Sequence, residues 1–197
     1  MIGFKDTYEF YKRAIRKTFI IVLFAFAFVI IASTIFFIIA PNYSQELIQY
    51  FLQNAKIFDS QGNISVIKLI LNNIKASLVA VLLGIIPFLC LSSLSIIANA
   101  VIVGAVLALQ GSFERGLLVF ILGILPHGVF ELTAFMISIS IGIRISLLLG
   151  DKIRGKDVQL KEMLLGYTNV FVLFVVPLLI FSGFIEVYIT PILMRLL

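Results

Sequence analysis

Residues 116–143 read GLLVFILGILPHGVFELTAFMISISIGI, a run of 28 residues with only two ionisable side chains. At 1.5 Å per residue, a helix of this length exceeds the thickness of the hydrocarbon core of a bilayer, about 30 Å. Pro126 lies near the middle, flanked by Gly123 and Gly128, and a proline inside a helix removes a backbone hydrogen bond. The stretch therefore predicts a membrane-spanning helix that is kinked or broken near Pro126.

The composition of the whole chain indicates the same class of protein. Of the 197 residues, 61% are hydrophobic and 13% are charged, and the mean hydropathy is +1.17. A soluble domain is only about 45–50% apolar. One helical crossing needs roughly 20 apolar residues, so the chain has room for a single all-α membrane domain, a polytopic helical bundle.

Hydrophobic runs predict about five transmembrane helices, at approximately 18–40, 70–91, 95–110, 116–143 and 163–189. Residues 1–17 predict an amphipathic cytoplasmic helix, because their aromatic residues recur at helical spacing. Residues 41–66 are expected to form an extracytoplasmic loop with a short surface helix. Residues 144–162 are expected to form a basic cytoplasmic loop.

The boundary between the second and third helices lies in a stretch without charges. Residues 76–113 span 38 positions, almost twice the roughly 20 that one crossing requires. We therefore expect two helices with a turn between them, after Pro87 and near Ser92 to Ser95. In the third helix, Ala100 and Gly104 begin a small-residue repeat that favours close helix packing.

Charge distribution predicts the orientation. Residues 1–17 and 144–162 together hold ten of the fifteen Lys and Arg residues. Because cytoplasmic loops carry an excess of basic residues, we expect a multi-pass cell-membrane protein with a cytoplasmic N-terminus and an extracytoplasmic C-terminus. The same placement explains the net charge of +5 without nucleic acid as a partner.

Several polar residues fall inside the predicted helices, where each needs a partner. The candidate site comprises His127, Glu131, Glu186, Asn99, Asn72 and Asn73. His127 and Glu131 are four residues apart and share a helix face. Glu186 is only about three residues from the predicted end of the fifth helix, so its depth argues against one tight cluster, and His127 is expected to bridge the two carboxylates.

Three interpretations of this set remain open. The imidazole could donate to Glu131 or Glu186 in a purely structural arrangement, with the asparagines bonding backbone freed by Pro126. His127, Glu131 and Glu186 could instead hold a divalent metal such as zinc, since three protein ligands with an open fourth position are typical of catalytic zinc. The histidine and carboxylates could also relay protons or a solute in a transporter-like conduit.

Other classes of enzyme receive no support. No serine or cysteine lies in a nucleophile motif beside the single histidine, and no glycine-rich phosphate loop is present. Cys90 is the sole cysteine, so it forms neither an intrachain disulfide nor a multi-cysteine metal site. The sequence favours a non-enzymatic role with no catalytic residues.

Three stretches carry a family resemblance. They are LPHGVFELTA at 125–134 followed by Gly142 and Arg144, VPLL at 176–179 continuing to IEVYITP at 185–191, and Asn99 with Gly104. Together they resemble the signature of the stage II sporulation protein M family, over roughly residues 65–191.

The resemblance implies a polytopic membrane protein whose sporulation member works with partner proteins in remodelling the cell wall at the septum. That member is not the hydrolase, and relatives occur in organisms that do not sporulate. The resemblance therefore favours a membrane component or scaffold in envelope remodelling or export. Its expected partners are membrane lipid and membrane or envelope proteins, and homo-oligomerisation stays open.

Overall fold

The computed structural model describes residues 3–54 and 64–196, without the side chains of residues 52 and 54. In this part of the chain the structure is helical and contains no β-sheet, which confirms the all-α fold. The α-helices, in order, are α1 Phe4–Ala14, α2 Arg16–Ile39, α3 Pro41–Asn54, α4 Val66–Leu82, α5 Leu94–Ala108, α6 Phe113–Val119, α7 Leu125–Ile153, α8 Leu160–Val170, α9 Val176–Phe184 and α10 Thr190–Met194.

Five helical units in the described chain are long and apolar enough to cross a membrane. They are Arg16–Ile39, Val66–Ile85, Leu91–Ala108, Phe113–Ile153 and Leu160–Met194, here called spans one to five. This confirms the predicted number. Span four is the most buried of the five, so it forms the centre of the bundle, and most of its neighbours present their other faces to lipid.

Helix α1 is joined to span one by a bend at Ile15, where φ is −116°. Its apolar face packs beneath the bundle: Phe10 and Tyr11 join the core cluster around Tyr167, and the Phe10 and Tyr167 rings meet edge to face with centroids 5.4 Å apart. Burial there raises the pKa of the Tyr11 hydroxyl. The expected amphipathic helix thus forms a docked element.

Each of three prolines in spans four and five follows a π turn. The turns are Phe120–Ile124 before Pro126, Phe171–Val175 before Pro177, and Ile185–Ile189 before Pro191. In each case the residue preceding the proline donates its N–H to the carbonyl five residues earlier. A proline ring clashes with the carbonyl four residues before it, and here that carbonyl belongs to the middle residue of a π turn. The wider turn relieves the clash, so the irregularity expected near Pro126 is a bulge in a continuous helix.

Small residues set the closest helix contacts. A Cβ built on Gly84 would lie 2.6 Å from Cα of Gly142, so spans two and four touch backbone to backbone. A Cβ on Gly104 would meet the side chain of Ser33 and come within 2.9 Å of its Cβ, so the small-residue repeat of span three packs against span one. These contacts need glycine because any side chain would separate the helices.

The turn between spans two and three differs from the prediction. It lies at residues 86–90, ahead of the serines, and Phe88 and Cys90 adopt positive φ. Ser146 in α7 anchors it, because its hydroxyl donates to the carbonyl of Ile86 at 2.9 Å and accepts from the Cys90 N–H at 3.3 Å. Ser92 and Ser93 instead belong to the first turn of the next helix, where Ser93 Oγ bonds the Cys90 carbonyl.

The predicted loop at residues 144–162 is shorter than expected. Residues 144–153 continue α7, since the buried side chains of Ile145, Ser146 and Leu148 extend its core face, and only residues 154–159 separate α7 from α8. In the 41–66 segment, residues 41–54 form α3. The remainder of that predicted loop falls largely on residues 55–63, outside the described residues.

Candidate functional site

His127, Glu131 and Glu186 come together between spans four and five. Each contributes one ligand-type atom, a ring nitrogen or a carboxylate oxygen, and these atoms all lie within 4.8 Å of one another. His127 and Glu131 lie one helical turn apart just after Pro126, and Glu186 comes from the last π turn of span five. All three side chains are partly buried. We call this group the polar triad.

Two hydroxyls of span five connect the triad to its surroundings. His127 Nδ1 is hydrogen-bonded to Thr190 Oγ1 at 3.2 Å. The buried Ser182 hydroxyl lies 3.1 Å from the backbone carbonyl of His127 and 3.4 Å from Glu131 Oε2. A hydroxyl carries a single hydrogen, so Ser182 donates to one of these two acceptors at a time. The triad is therefore held by contacts between the two spans.

A small cavity lies on the inner side of Glu131. Its volume is about 20 Å³, and Asn73, Ser77 and Asn99 contribute polar groups to its wall. Asn99 donates its amide to the carbonyl of Ser95 at 3.2 Å. Ser77 Oγ is buried without a hydrogen-bond partner. A cavity needs only about 10–15 Å³ to hold one water, so this space accommodates a single polar guest between spans two, three and four.

The predicted site residues thus divide into three groups. His127, Glu131 and Glu186 form the triad, whereas Asn73 and Asn99 line the cavity beside Glu131, with Asn73 against the Glu131 carboxylate. Asn72 lies apart, in a surface groove that also contains Tyr50 and Phe51 of α3, because it occupies the opposite face of α4.

The predicted depth of Glu186, from which no single tight cluster was expected, was wrong. Helix continues to Met194 rather than ending near residue 189, so Glu186 lies eight residues from the end of span five and reaches the level of Glu131. The expected histidine partner also differs, since the hydrogen bond of the imidazole goes to Thr190. Thr190 could have been found from its place in the 185–191 string, whereas Ser182 and Ser77 carry no sequence signal beyond being polar in apolar helices.

Comparison with known proteins identifies the family. The family model for stage II sporulation protein M matches residues 18–191, which is most of the chain. The chain belongs to the stage II sporulation protein M family. Neither a curated protein nor a solved structure matches it.

The match extends the resemblance seen in the sequence to span one. Within this stage II sporulation protein M family member, all three triad residues and their hydroxyl partners Ser182 and Thr190 lie inside the matched range. The family match covers each of the five spans almost completely, whereas α1 precedes it. The polar triad thus lies in the part of the chain that the family model matches, and helix α1 lies outside that part.

Proposed function

We propose that this protein is a non-enzymatic membrane component that assists a partner protein in envelope remodelling or export. The observation that carries the proposal is the surface formed by α1 and α8. The two helices border a groove of about 630 Å³. The N-terminal helix and the first part of span five therefore form a single surface.

The charges of this groove favour a basic partner segment. Its wall carries the acidic side chains of Asp6, Glu9 and Glu162, with Arg13 as a basic member. Glu9 also pairs with Lys12 at 3.2 Å, an exposed ion pair that contributes little and that a basic partner can displace. Glu9 and Glu162 are exposed. A partner with complementary charge would gain specificity and a faster encounter rate rather than a large affinity.

We infer the orientation in the membrane from the charges at the end of the bundle where α1 and α8 meet. Helix α1 packs on α8 in the core cluster that contains Tyr167, so the two most basic segments of the chain lie at one membrane face. Because cytoplasmic segments carry an excess of Lys and Arg, we infer that this face is cytoplasmic. With five spans, the C-terminus would then be extracytoplasmic, and the partner would approach from inside the cell.

The triad supports a structural part in this role. Its hydrogen bonds run between spans four and five, and the adjoining cavity holds about one water. Bonds of this kind between membrane helices contribute about 0.6 kcal/mol on average. The triad would thereby maintain the helix arrangement that presents the groove.

Complementation tests the groove directly. In cells lacking the gene, we expect the double variant Glu9→Lys, Glu162→Lys to accumulate normally in the membrane but fail to restore envelope shape or export. The matched control is Glu114→Lys, which reverses an exposed charge at the start of α6. Full rescue by the groove variant would contradict the proposal.

A second measurement separates the scaffold from a conduit. Purified protein in liposomes should carry no proton flux above that of empty liposomes, and Glu131→Gln should lower thermal stability without any change in flux. A flux in the wild-type protein that Glu131→Gln abolishes would replace the scaffold by a conduit.

A further inference from the structure

We propose that His127, Glu131 and Glu186 form a binding site for a divalent transition-metal ion of the Zn²⁺ type. The first observation is geometric: the three ligand atoms lie within 4.8 Å of one another. Metal–ligand bonds of about 2.0–2.2 Å in a tetrahedral site place ligand atoms about 3.4 Å apart. Side-chain rotations that move the ligand atoms by roughly 1 Å would therefore bring all three within bonding distance of one ion.

The second observation concerns charge. Two carboxylates share this intramembrane site, and buried charges persist only when they are paired or coordinate a metal. Within residues 3–54 and 64–196, the ion pairs found join Lys12 to Glu9 and Lys156 to Asp151, both remote from the triad. A divalent cation would balance both carboxylates with a neutral imidazole as the third ligand.

The histidine is also oriented as a metal ligand should be. A ligating histidine usually bonds its second ring nitrogen to a neighbouring acceptor, which fixes the tautomer and the ring plane. Here Thr190 Oγ1 lies 3.2 Å from Nδ1, and with Nε2 as the ligand nitrogen this contact would fix the tautomer and the ring plane. Ser182 Oγ, 3.4 Å from Glu131 Oε2, provides a similar outer contact for one carboxylate.

An independent observation comes from the cavity beside Glu131. Ser77 is fully buried, its hydroxyl has no partner, and it lines the cavity together with Glu131. The Asn73 side chain in the same wall lies against the Glu131 carboxylate. Buried polar groups are normally satisfied by protein or water. The Ser77 hydroxyl therefore marks a place for a polar guest beside Glu131, the triad residue that lines this cavity.

The donor set selects the class of metal. One imidazole nitrogen with two carboxylate oxygens suits zinc and similar transition metals. Calcium requires about six to eight oxygen ligands, and magnesium prefers octahedral oxygen coordination with several waters. A partly buried triad of one nitrogen and two carboxylates fits neither.

Metal content provides the test. Protein purified in detergent would be stripped with a chelator, dialysed against Zn²⁺, freed of excess ion and analysed by elemental mass spectrometry. We expect about one zinc per chain in the wild type, and a large loss in His127→Gln and Glu186→Gln. The matched control Glu114→Gln removes an exposed carboxylate far from the triad and should retain the metal.

Thermal unfolding gives a second readout that does not need the variants to fold. An ion that binds only the folded state raises the unfolding midpoint as its concentration rises, so Zn²⁺ should stabilise the stripped wild-type protein and chelator should reverse the effect. A wild type that holds no more zinc than Glu186→Gln, or a midpoint unchanged by Zn²⁺, Co²⁺ and Mn²⁺, would overturn the proposal. Neither result depends on the partner-binding function.

Discussion

Replacing Gly142 with alanine should destabilise the protein more than any other single methyl addition in span four. Gly142 lies where α7 meets both the end of span two and the start of span three. A Cβ at this position would collide with the backbone carbonyl of Ala80 and the hydroxyl of Ser92, and would lie 2.8 Å from Cβ of Ser92. Two of its neighbours thus belong to different spans, and one of them is a backbone atom that cannot rotate away.

The expected magnitude follows from these distances. Carbon atoms in proteins make contact at about 3.5–4.0 Å, so the added methyl overlaps its neighbours by about 1 Å. Span four must move away from spans two and three by a similar distance. Ala80, fully buried in the second core cluster, would lose contacts. Overpacking of a tight core costs about 1–3 kcal/mol, and the two-sided contact at Gly142 places this variant near about 3 kcal/mol.

Gly116→Ala is the matched control. The nearest atom to a Cβ at Gly116 is the carbonyl oxygen of Leu107 at 3.4 Å, an ordinary contact. Alanine is also favoured over glycine in a helix by about 1 kcal/mol. We would heat both variants in the same detergent and measure the fraction that remains monodisperse by size-exclusion chromatography. Equal midpoints for Gly142→Ala and Gly116→Ala would refute the inference that spans two and four touch through their backbones.

Three further outcomes are expected. Ser182→Ala should lower the free energy of unfolding by about 1 kcal/mol, because it removes the hydroxyl contacts between span five and span four. A thermal unfolding curve identical to that of the wild type would show that these contacts do not stabilise the protein. Gly166→Ala should loosen α1, since its Cβ would run into the ring of Phe10, and limited proteolysis near the N-terminus should become faster than in Gly116→Ala. In a background without the native cysteine, an impermeant thiol reagent should label Tyr43→Cys and not Asp157→Cys in intact cells; the reverse pattern would invert the orientation.

Much of the architecture follows from hydrophobicity alone. Residues 18–40 and 116–143 are long apolar runs, and each is long enough for one bilayer crossing of roughly 20 residues but too short for two, so the number of spans is constrained. The polar triad was accessible for a related reason. An ionisable residue in an apolar helix needs a partner, and the Asp, Glu, His, Lys and Arg residues within the predicted runs 116–143 and 163–189 are limited to His127, Glu131 and Glu186.

Helix ends were harder to predict because tertiary contacts determine them. The turn after span two lies at residues 86–90 because Ser146 hydrogen-bonds both ends of it. Ser146 is 60 positions after Ile86 in the sequence. Span four continues beyond Arg144 because Ile145 and Leu148 still find a core to pack against. Neither contact is visible in a local pattern, and the misplaced end of span five led directly to the wrong depth for Glu186.

The π turns connect the helix geometry to the triad. One extra residue in a turn rotates everything that follows by about 100° relative to a regular α-helix, so a 3.6-residue pattern loses its phase there. His127 and Glu131 both follow the turn at Phe120–Ile124 and keep their shared face, as the sequence predicted. Glu186 lies within the turn at Ile185–Ile189 and Thr190 follows it directly. Both face the same histidine, His127.

Pro126 and Pro191 therefore act on the site without touching it. Each stands two residues beyond a π turn, and its missing N–H and bulky ring disfavour the regular α-helical alternative in which the preceding turn would be narrower. The turn in span four aims His127 towards span five, and the turn in span five aims Glu186 and Thr190 back. In the strings LPHGVFE and EVYITP the proline and the polar residues therefore form one structural unit. The proline favours the π turn before it, and the π turn determines which side chains face the neighbouring span.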